Sequence, residues 1–208
     1  MATHSDTIKR GRKFDQVLEG ARTIFMRDGF EGASVDDIAR EASVSKATLY
    51  SYFPDKRLLF GQVSETECRR QADEAFEVLD MDAPPKEVLV EAAWRMVSFI
   101  TSDFGIAVFK ICIAESGRFP NLGQQFYDSG PKLVRERIVV YLKEATKRGE
   151  LNITDFNFAA EQFLELTKTY IHPRILCGVQ LTFSHAELAK IVHGSVEMFL
   201  ARYGRDLD

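Results

Sequence analysis

Residues 34–53 read SVDDIAREASVSKATLYSYF. This stretch has the proportions of two short helices joined by a tight turn. Ser34 followed by Asp36 and Asp37 gives a capping signal for a helix that ends near Ala42. After the Ser43-Val44 turn, Ser45 is placed to cap a second helix of about six or seven residues. Ile38, Ala39, Val44 and Leu49 form the apolar set that packs the pair, with the small Ala39 where the helices come closest. That leaves Ser45, Lys46, Ala47, Thr48, Tyr50, Ser51 and Tyr52 on the outer face. Such a face is small, rich in hydroxyls and singly basic, as a helix entering a major groove needs to be. The pattern alone also fits an ordinary amphipathic helix pair, so two readings stand at this level.

Outward from this pair, helical periodicity continues in both directions. Phe14, Val17, Leu18, Ala21, Ile24 and Phe25 step at three and four along a first helix, and Gly29 follows where a left-handed C-terminal cap is wanted. Asp55 caps a fourth helix running to about Leu79. The run DMDAPP at 80–85 breaks the chain, since proline ends one helix and can open the next. A fifth helix carries Val88, Leu89, Ala92, Ala93, Met96, Phe99 and Ile100, and a sixth spans about 103–115. GRFPN at 117–121 is a turn. A long seventh helix covers 124–147, with a bend open at Gly130-Pro131. The eighth and ninth cover 156–176 and 184–203, the last opened by a Ser184…Glu187 capping box. The fold class expected is all-α, with about nine helices and no internal repeat.

Composition sets the outer limits. The chain has 208 residues, 45% hydrophobic and 28% charged, too apolar for disorder. Three cysteines are too few for a disulfide framework and fit a reducing compartment, so a cytoplasmic protein without a membrane partner is expected. Cys112 and Cys177 fall on apolar faces and read as core, and Cys68 reads as exposed. His4, His172, His185 and His193 lie at no metal-ligand spacing, and no glycine-rich phosphate loop or nucleophile triad is present. No metal, cofactor or enzymatic chemistry is therefore expected. The formal net charge of −4 speaks against nucleic acid only as an average. Residues 1–60 hold 10 Lys and Arg against 9 Asp and Glu, whereas residues 61–208 hold 17 against 22. Lys9, Arg10, Arg12 and Lys13 form a basic N-terminal arm able to follow a DNA backbone. A solvated tail and a nuclear localisation signal are its rival readings.

The combination Phe30-x-Gly32-x-Ser34-Val35-x-x-Ile38-Ala39, then Val44-Ser45-Lys46-x-Thr48-Leu49-Tyr50-x-Tyr52-Phe53, then Lys56-x-x-Leu59 resembles the DNA-binding domain of the TetR (AcrR-type) transcriptional regulators. The likeness covers about residues 14–60. Residues 113–131, IAESGRFPNLGQQFYDSGP, resemble the C-terminal domain of an AcrR/AefR-like subgroup. The resemblance implies an arm at 1–13, a helix-turn-helix domain at 14–60 and an effector-binding and dimerisation domain at 61–208. It implies a homodimer on a palindromic double-stranded operator, usually a repressor released by a small molecule. Site roles implied position by position are Ser34, Tyr50, Tyr52 and Lys56 on phosphates, and Lys46, Ala47 and Thr48 on base edges. Ser45 belongs to the same interface, with Arg10 and Arg12 from the arm. Ser43 stands where the family often has glycine, which puts a serine in a conformation that favours glycine. Ala47 stands at another such position and adds a methyl group able to meet thymine.

The C-terminal domain holds 11 of the 16 phenylalanines and the single tryptophan. Aromatics at helical spacing are ordinarily core. The resemblance adds an apolar effector pocket, for which Trp94, Met96, Phe99, Phe109, Phe126, Phe163 and Tyr170 are the lining candidates, with Glu115, Arg118 and His172 as polar ones. Broad apolar faces on the last two helices, including Phe163, Tyr170, Leu188, Val192, Val196, Phe199 and Leu200, suit a four-helix dimer interface. An activator, a regulator without a ligand and a soluble carrier of apolar molecules are the alternatives.

Overall fold

A computed structural model describes residues 11–77 and 79–205. Among them are eleven helices: α1 (Arg12–Gly32), α2 (Val35–Glu41), α3 (Lys46–Tyr52), α4 (Lys56–Glu77), α5 (Pro85–Ile100), α6 (Asp103–Glu115), α7 (Pro120–Ser129), α8 (Pro131–Lys147), α9 (Phe156–Thr167), α10 (Ile171–Leu176) and α11 (His185–Tyr203). The all-α class holds. The count exceeds nine for two local reasons. Gly130 and Pro131 divide the expected seventh helix into α7 and α8, with proline at the first position of α8. The expected eighth helix breaks between Thr167 and Ile171, where Tyr170 takes φ 72° and ψ −30°. Pro173 accounts for this, because a helix continued through it would lose its hydrogen bond to residue 169 and clash there.

The helices gather into two compact units. The first joins residues 11–67 with 111–126, so the end of α6 and most of α7 belong with the N-terminal helices. Its core is the α1 stripe of Phe14, Val17, Ala21, Ile24 and Phe25, closed by Ile38, Leu49, Phe53, Leu59 and Phe60, all buried. The rings interlock: Phe14 lies 5.5 Å from Phe53, and Phe25 meets Phe60 edge-on at 5.0 Å. Burying each such side chain stabilises by about 1.5–3 kcal/mol. Gly29 kinks α1 rather than ending it: at φ 70° and ψ 179° it takes a conformation open essentially to glycine alone, and the helix runs on to its C-cap at Ala33. Glu67 is buried and paired to Arg22 of α1 at 3.0 Å.

The second unit joins residues 68–110 with 127–205. Leu89, Ala93 and Val97 of α5, Leu142 of α8, Ala160 and Phe163 of α9, and Val192 and Phe199 of α11 are sealed in its core. The Tyr141 hydroxyl donates to the Ala83 carbonyl at 2.9 Å, and burial pushes its pKa up to about 12. Cysteine placement differs from expectation. Cys68 is buried and Cys177 is exposed, because α10 ends at Leu176 and leaves Cys177 at its C-cap. Among the described residues no single helix is long and apolar enough to cross a membrane.

Gly20 controls how closely α1 approaches the end of α2. A Cβ built there would stand 2.7 Å from the Ala42 backbone nitrogen. The substitution Gly20→Ala therefore forces the helices apart and is expected to cost about 1–3 kcal/mol. Urea denaturation followed by circular dichroism should show a lower midpoint, and an unchanged midpoint would mean the contact yields freely.

Candidate nucleic-acid interface

A seven-residue helix with one fully buried side chain presents most of its surface. In α3 that anchor is Leu49, 1% exposed. Ser45, Lys46, Ala47, Tyr50 and Ser51 are exposed around it, and Thr48 and Tyr52 are half-buried. This is the outer face read from the sequence. Tyr52 also packs its ring edge-on against Phe14 at 5.6 Å, leaving the phenol end as its polar part.

The caps form as expected, and they use up donors. Ser45 Oγ accepts from the Thr48 backbone N–H at 3.1 Å and shares a hydrogen with the Thr48 hydroxyl at 2.9 Å. Ser34 Oγ accepts from Asp37 N–H at 3.0 Å and donates to the Asp37 carboxylate at 2.5 Å. The hydroxyl hydrogen that a phosphate would accept is thus held by Asp37. That bond, with Arg40 nearby, lowers the Asp37 pKa. Ser43 joins α2 to α3 at φ 53°.

Three polar residues do something the sequence reading missed. Lys46 is ion-paired with Asp36 in the first turn of α2. The Lys56 ammonium donates to the Phe30 carbonyl at 2.8 Å and the Ala33 carbonyl at 3.1 Å, and sits 4.3 Å from the Phe30 ring centre. Two of its three N–H groups thus close the end of α1, leaving one for the phosphate contact expected of it. Arg57 bridges Asp55 at 2.9 Å and Glu115 at 3.0 Å. Glu115, a candidate for the pocket, is instead bound to the start of α4. Apart from Asp55, these partners lie far from their cations in sequence, so no periodicity announces them. Arg12 is exposed in the first turn of α1, and Arg10 lies outside the described residues.

The expected lining residues of the C-terminal domain sit in different surroundings. Phe163 is fully buried, edge-on to Phe199 at 5.4 Å. Tyr170 is exposed, with the Arg174 guanidinium 3.6 Å over its ring. Phe126 belongs to the first unit. Met96 and Phe99 are half-buried. Trp94 stacks on His185 at 4.8 Å, and Phe109 meets His172 at 4.5 Å with the rings tilted by 42°, both aromatics half-buried. A groove of about 470 Å³ lies elsewhere, between α9 and α11, lined by Gln162, Leu166, Thr169, Met198 and Arg202 among others.

Residues 17–63 match the family described as bacterial regulatory proteins, tetR family. Residues 87–205 match the C-terminal domain of the AefR-like transcriptional repressors. The chain belongs to the TetR family. Like that family's members, it is a DNA-binding transcriptional regulator. A protein from Mesorhizobium loti MAFF303099 assigned to the TetR-family regulators is 28% identical, with a TM-score of 0.79 over 93% of this chain and 98% of that one. The flavonoid-responsive regulator FrrA is 32% identical, with a TM-score of 0.71 over 95% of this chain and all of FrrA. The negative regulator of the icaADBC biofilm operon in Staphylococcus aureus, IcaR, is 35% identical over 48 residues, 23% of this chain and 26% of its own. The chain thus spans about a quarter of IcaR in that match. In this TetR-family regulator, α2 and α3 are the helix-turn-helix.

Two outcomes follow from this geometry. Relieving a left-handed serine gains about 1–2 kcal/mol, offset by about 0.4–1 kcal/mol of unfolded-chain entropy. Ser43→Gly should therefore raise the denaturation midpoint slightly, and a fall would show that the serine makes an uncounted contact. His172 has its pKa lowered from 6.5, first by burial and then by Lys168. Its neutral form is the one the fold favours, so its share of stability is complete above about pH 6.5 and declines as pH falls towards the lower folded value. Thermal melts between pH 5 and 8 should show that decline, and His172→Phe should flatten it.

Proposed function

We propose that this TetR-family regulator acts in the cytoplasm as a homodimeric repressor that leaves its palindromic operator when a planar aromatic molecule binds the C-terminal domain. The observation that carries the DNA half is the outer face of α3. Its exposed Ala47, Tyr50 and Ser51 stand clear of a single buried anchor, Leu49, in a helix positioned to read base edges and phosphates. Repression is supported by the match to the AefR-like repressor domain and by the negative regulator IcaR. The effector class is supported by FrrA, whose own name states a response to flavonoids. It is also supported by Trp94 and Phe109, half-buried rings already paired with imidazoles, since such surfaces take flat ligands bearing a few hydrogen-bonding groups.

The dimer surface differs from the residues first named for it. Phe163, Val192, Val196 and Phe199 are sealed inside the subunit, because a stripe at three-and-four spacing faces its own core first. Leu188 and Leu200 are half-buried, and Tyr170 is engaged by Arg174. The stripes left for a second copy are Phe158, Gln162 and Leu166 on α9 with Thr169 just beyond its end, and Ile191, Gly194, Met198 and Ala201 on α11. Phe158 and Met198 are 58% and 63% exposed. Gly194 has nothing within 4 Å of where its Cβ would be, leaving space for a close helix crossing. Dimerisation serves the reading of DNA by spacing two α3 helices about 34–36 Å apart, one helical turn.

The test uses full-length protein and duplexes tiled across the DNA flanking its own gene, followed by fluorescence anisotropy. One duplex should bind far more tightly than the rest. Adding a flavonoid should quench the emission of Trp94, the only tryptophan, and release the duplex over the same concentration range. Met198→Glu should be monomeric by light scattering and bind the operator at least about 100-fold more weakly, as two half-sites bound separately lose their joint avidity. Absence of any preferred duplex would overturn the DNA reading. A dimeric Met198→Glu would move the interface elsewhere.

A further inference from the structure

Six basic residues of the first unit are held by its own groups, while Arg12 and Lys13 at the start of α1 are exposed. Arg22 is held by Glu67 and Glu19, Arg27 by Asp28, Arg40 by Asp37, and Arg57 by Asp55 and Glu115. Lys56 is held by two carbonyls. Lys46, the one basic residue of α3, is held by Asp36. The Lys46–Asp36 pair differs from the others in lying on the outer face of the helix-turn-helix, with both side chains more than half exposed.

We propose that Asp36 is a specificity-determining residue. It keeps Lys46 on α2 and away from phosphates, so that random DNA is bound weakly and the operator is favoured by its base contacts. This rests on the DNA-binding reading above. An exposed pair of this kind is cheap to open, so it does not block binding. Its effect comes from what remains when it opens. Asp36 sits in the first turn of α2, where the helix end favours a carboxylate, so the negative charge stays at the interface after Lys46 leaves. A lysine that reaches a phosphate releases a counterion, whereas a lysine that brings its own carboxylate releases none net. On random DNA nothing offsets that loss. On the operator, Lys46 held at the start of α3 is aimed at the groove, and base contacts offset it. The arrangement also fits the acidic total of this chain, because a cation that carries its own carboxylate gains little affinity from backbone contact alone.

The experiment compares wild type, Asp36→Asn, Asp36→Glu, Lys46→Met and the double variant Asp36→Asn/Lys46→Met. The probes are the operator duplex and a random 30-base-pair duplex, each titrated between 0.05 and 0.3 M potassium chloride. Asp36→Asn should steepen the salt slope on random DNA by about 0.9 per subunit, equivalent to about an eightfold gain per subunit at 0.1 M relative to 1 M salt. Operator affinity should rise less, so the ratio of operator to random binding falls by at least about threefold. Asp36→Glu, which keeps the charge, should restore the ratio. The gain should vanish in the Lys46→Met background. Lys46→Met alone, which leaves the α2 cap untouched, should keep the wild-type slope on random DNA while weakening the operator complex.

Several results overturn the proposal: an Asp36→Asn slope equal to wild type, an equal gain on both duplexes, or a gain that survives Lys46→Met. A shallower random-DNA slope for Lys46→Met alone also does so, since Lys46 would then already sit on a phosphate. Failure of wild type to bind either duplex at 0.05 M salt is a separate outcome, and it is the DNA reading itself that falls.

Discussion

A helix of seven residues has no independent stability in water, because nucleation costs more than so few hydrogen bonds return. Helix α3 exists because Leu49 is buried and because Phe53, its C-cap, stacks on Phe14 of α1. Everything at the DNA-facing surface depends on that anchorage. The approach of α1 to the turn is fixed by Gly20 against Ala42. The end of α1 is closed by Lys56, which reaches back from α4 to two of its last carbonyls. A charged side chain here does the work of a helix cap, and the aromatic ring of Phe30 under it replaces part of its lost water.

The electrostatics of the molecule follow from local pairing more than from totals. Among the described residues of the first unit, Arg22, Arg27, Arg40, Lys46 and Arg57 each have an acidic neighbour within ion-pair distance, some on the same helix and some across a turn or between helices. Individually such contacts contribute little to stability. Collectively they set how much charge remains to meet a polyanion. Arg57 shows the second use of the same chemistry: it is shared by Asp55 and Glu115, so residues at the end of α6 are tied to the start of α4 inside one compact unit.

Much of the fold was legible in the sequence. The first five helices, the sixth and the last are where periodicity, capping serines and prolines put them, because those signals act over a few residues. The breaks at Gly130-Pro131 and at Tyr170 were less so. Pro173 is the visible cause of the second, but its effect falls three to four residues upstream, on a tyrosine that carries no turn signal of its own. The outer face of α3 was legible because one buried leucine fixes which side faces out. The roles of Lys46, Lys56 and Glu115 were not, since each depends on a partner from another helix. The dimer surface misled for a related reason. Val192, Val196 and Phe199 follow the strongest apolar stripe of α11, and the strongest stripe belongs to the subunit's own core. The surface left over is weaker in pattern and is visible only once that core has been assembled.

The cysteines have a practical meaning. Cys68 and Cys112 are buried, and burial pushes the Cys112 thiol up to about 12, so neither reacts readily under mild conditions. Cys177 stands exposed at the end of α10, directly after the segment whose backbone is bent at Tyr170. The wild-type chain therefore offers one readily addressable thiol, and it lies beside the C-terminal domain's most unusual backbone. A fluorophore or spin label attached there would watch that segment directly, without engineering a cysteine-free background.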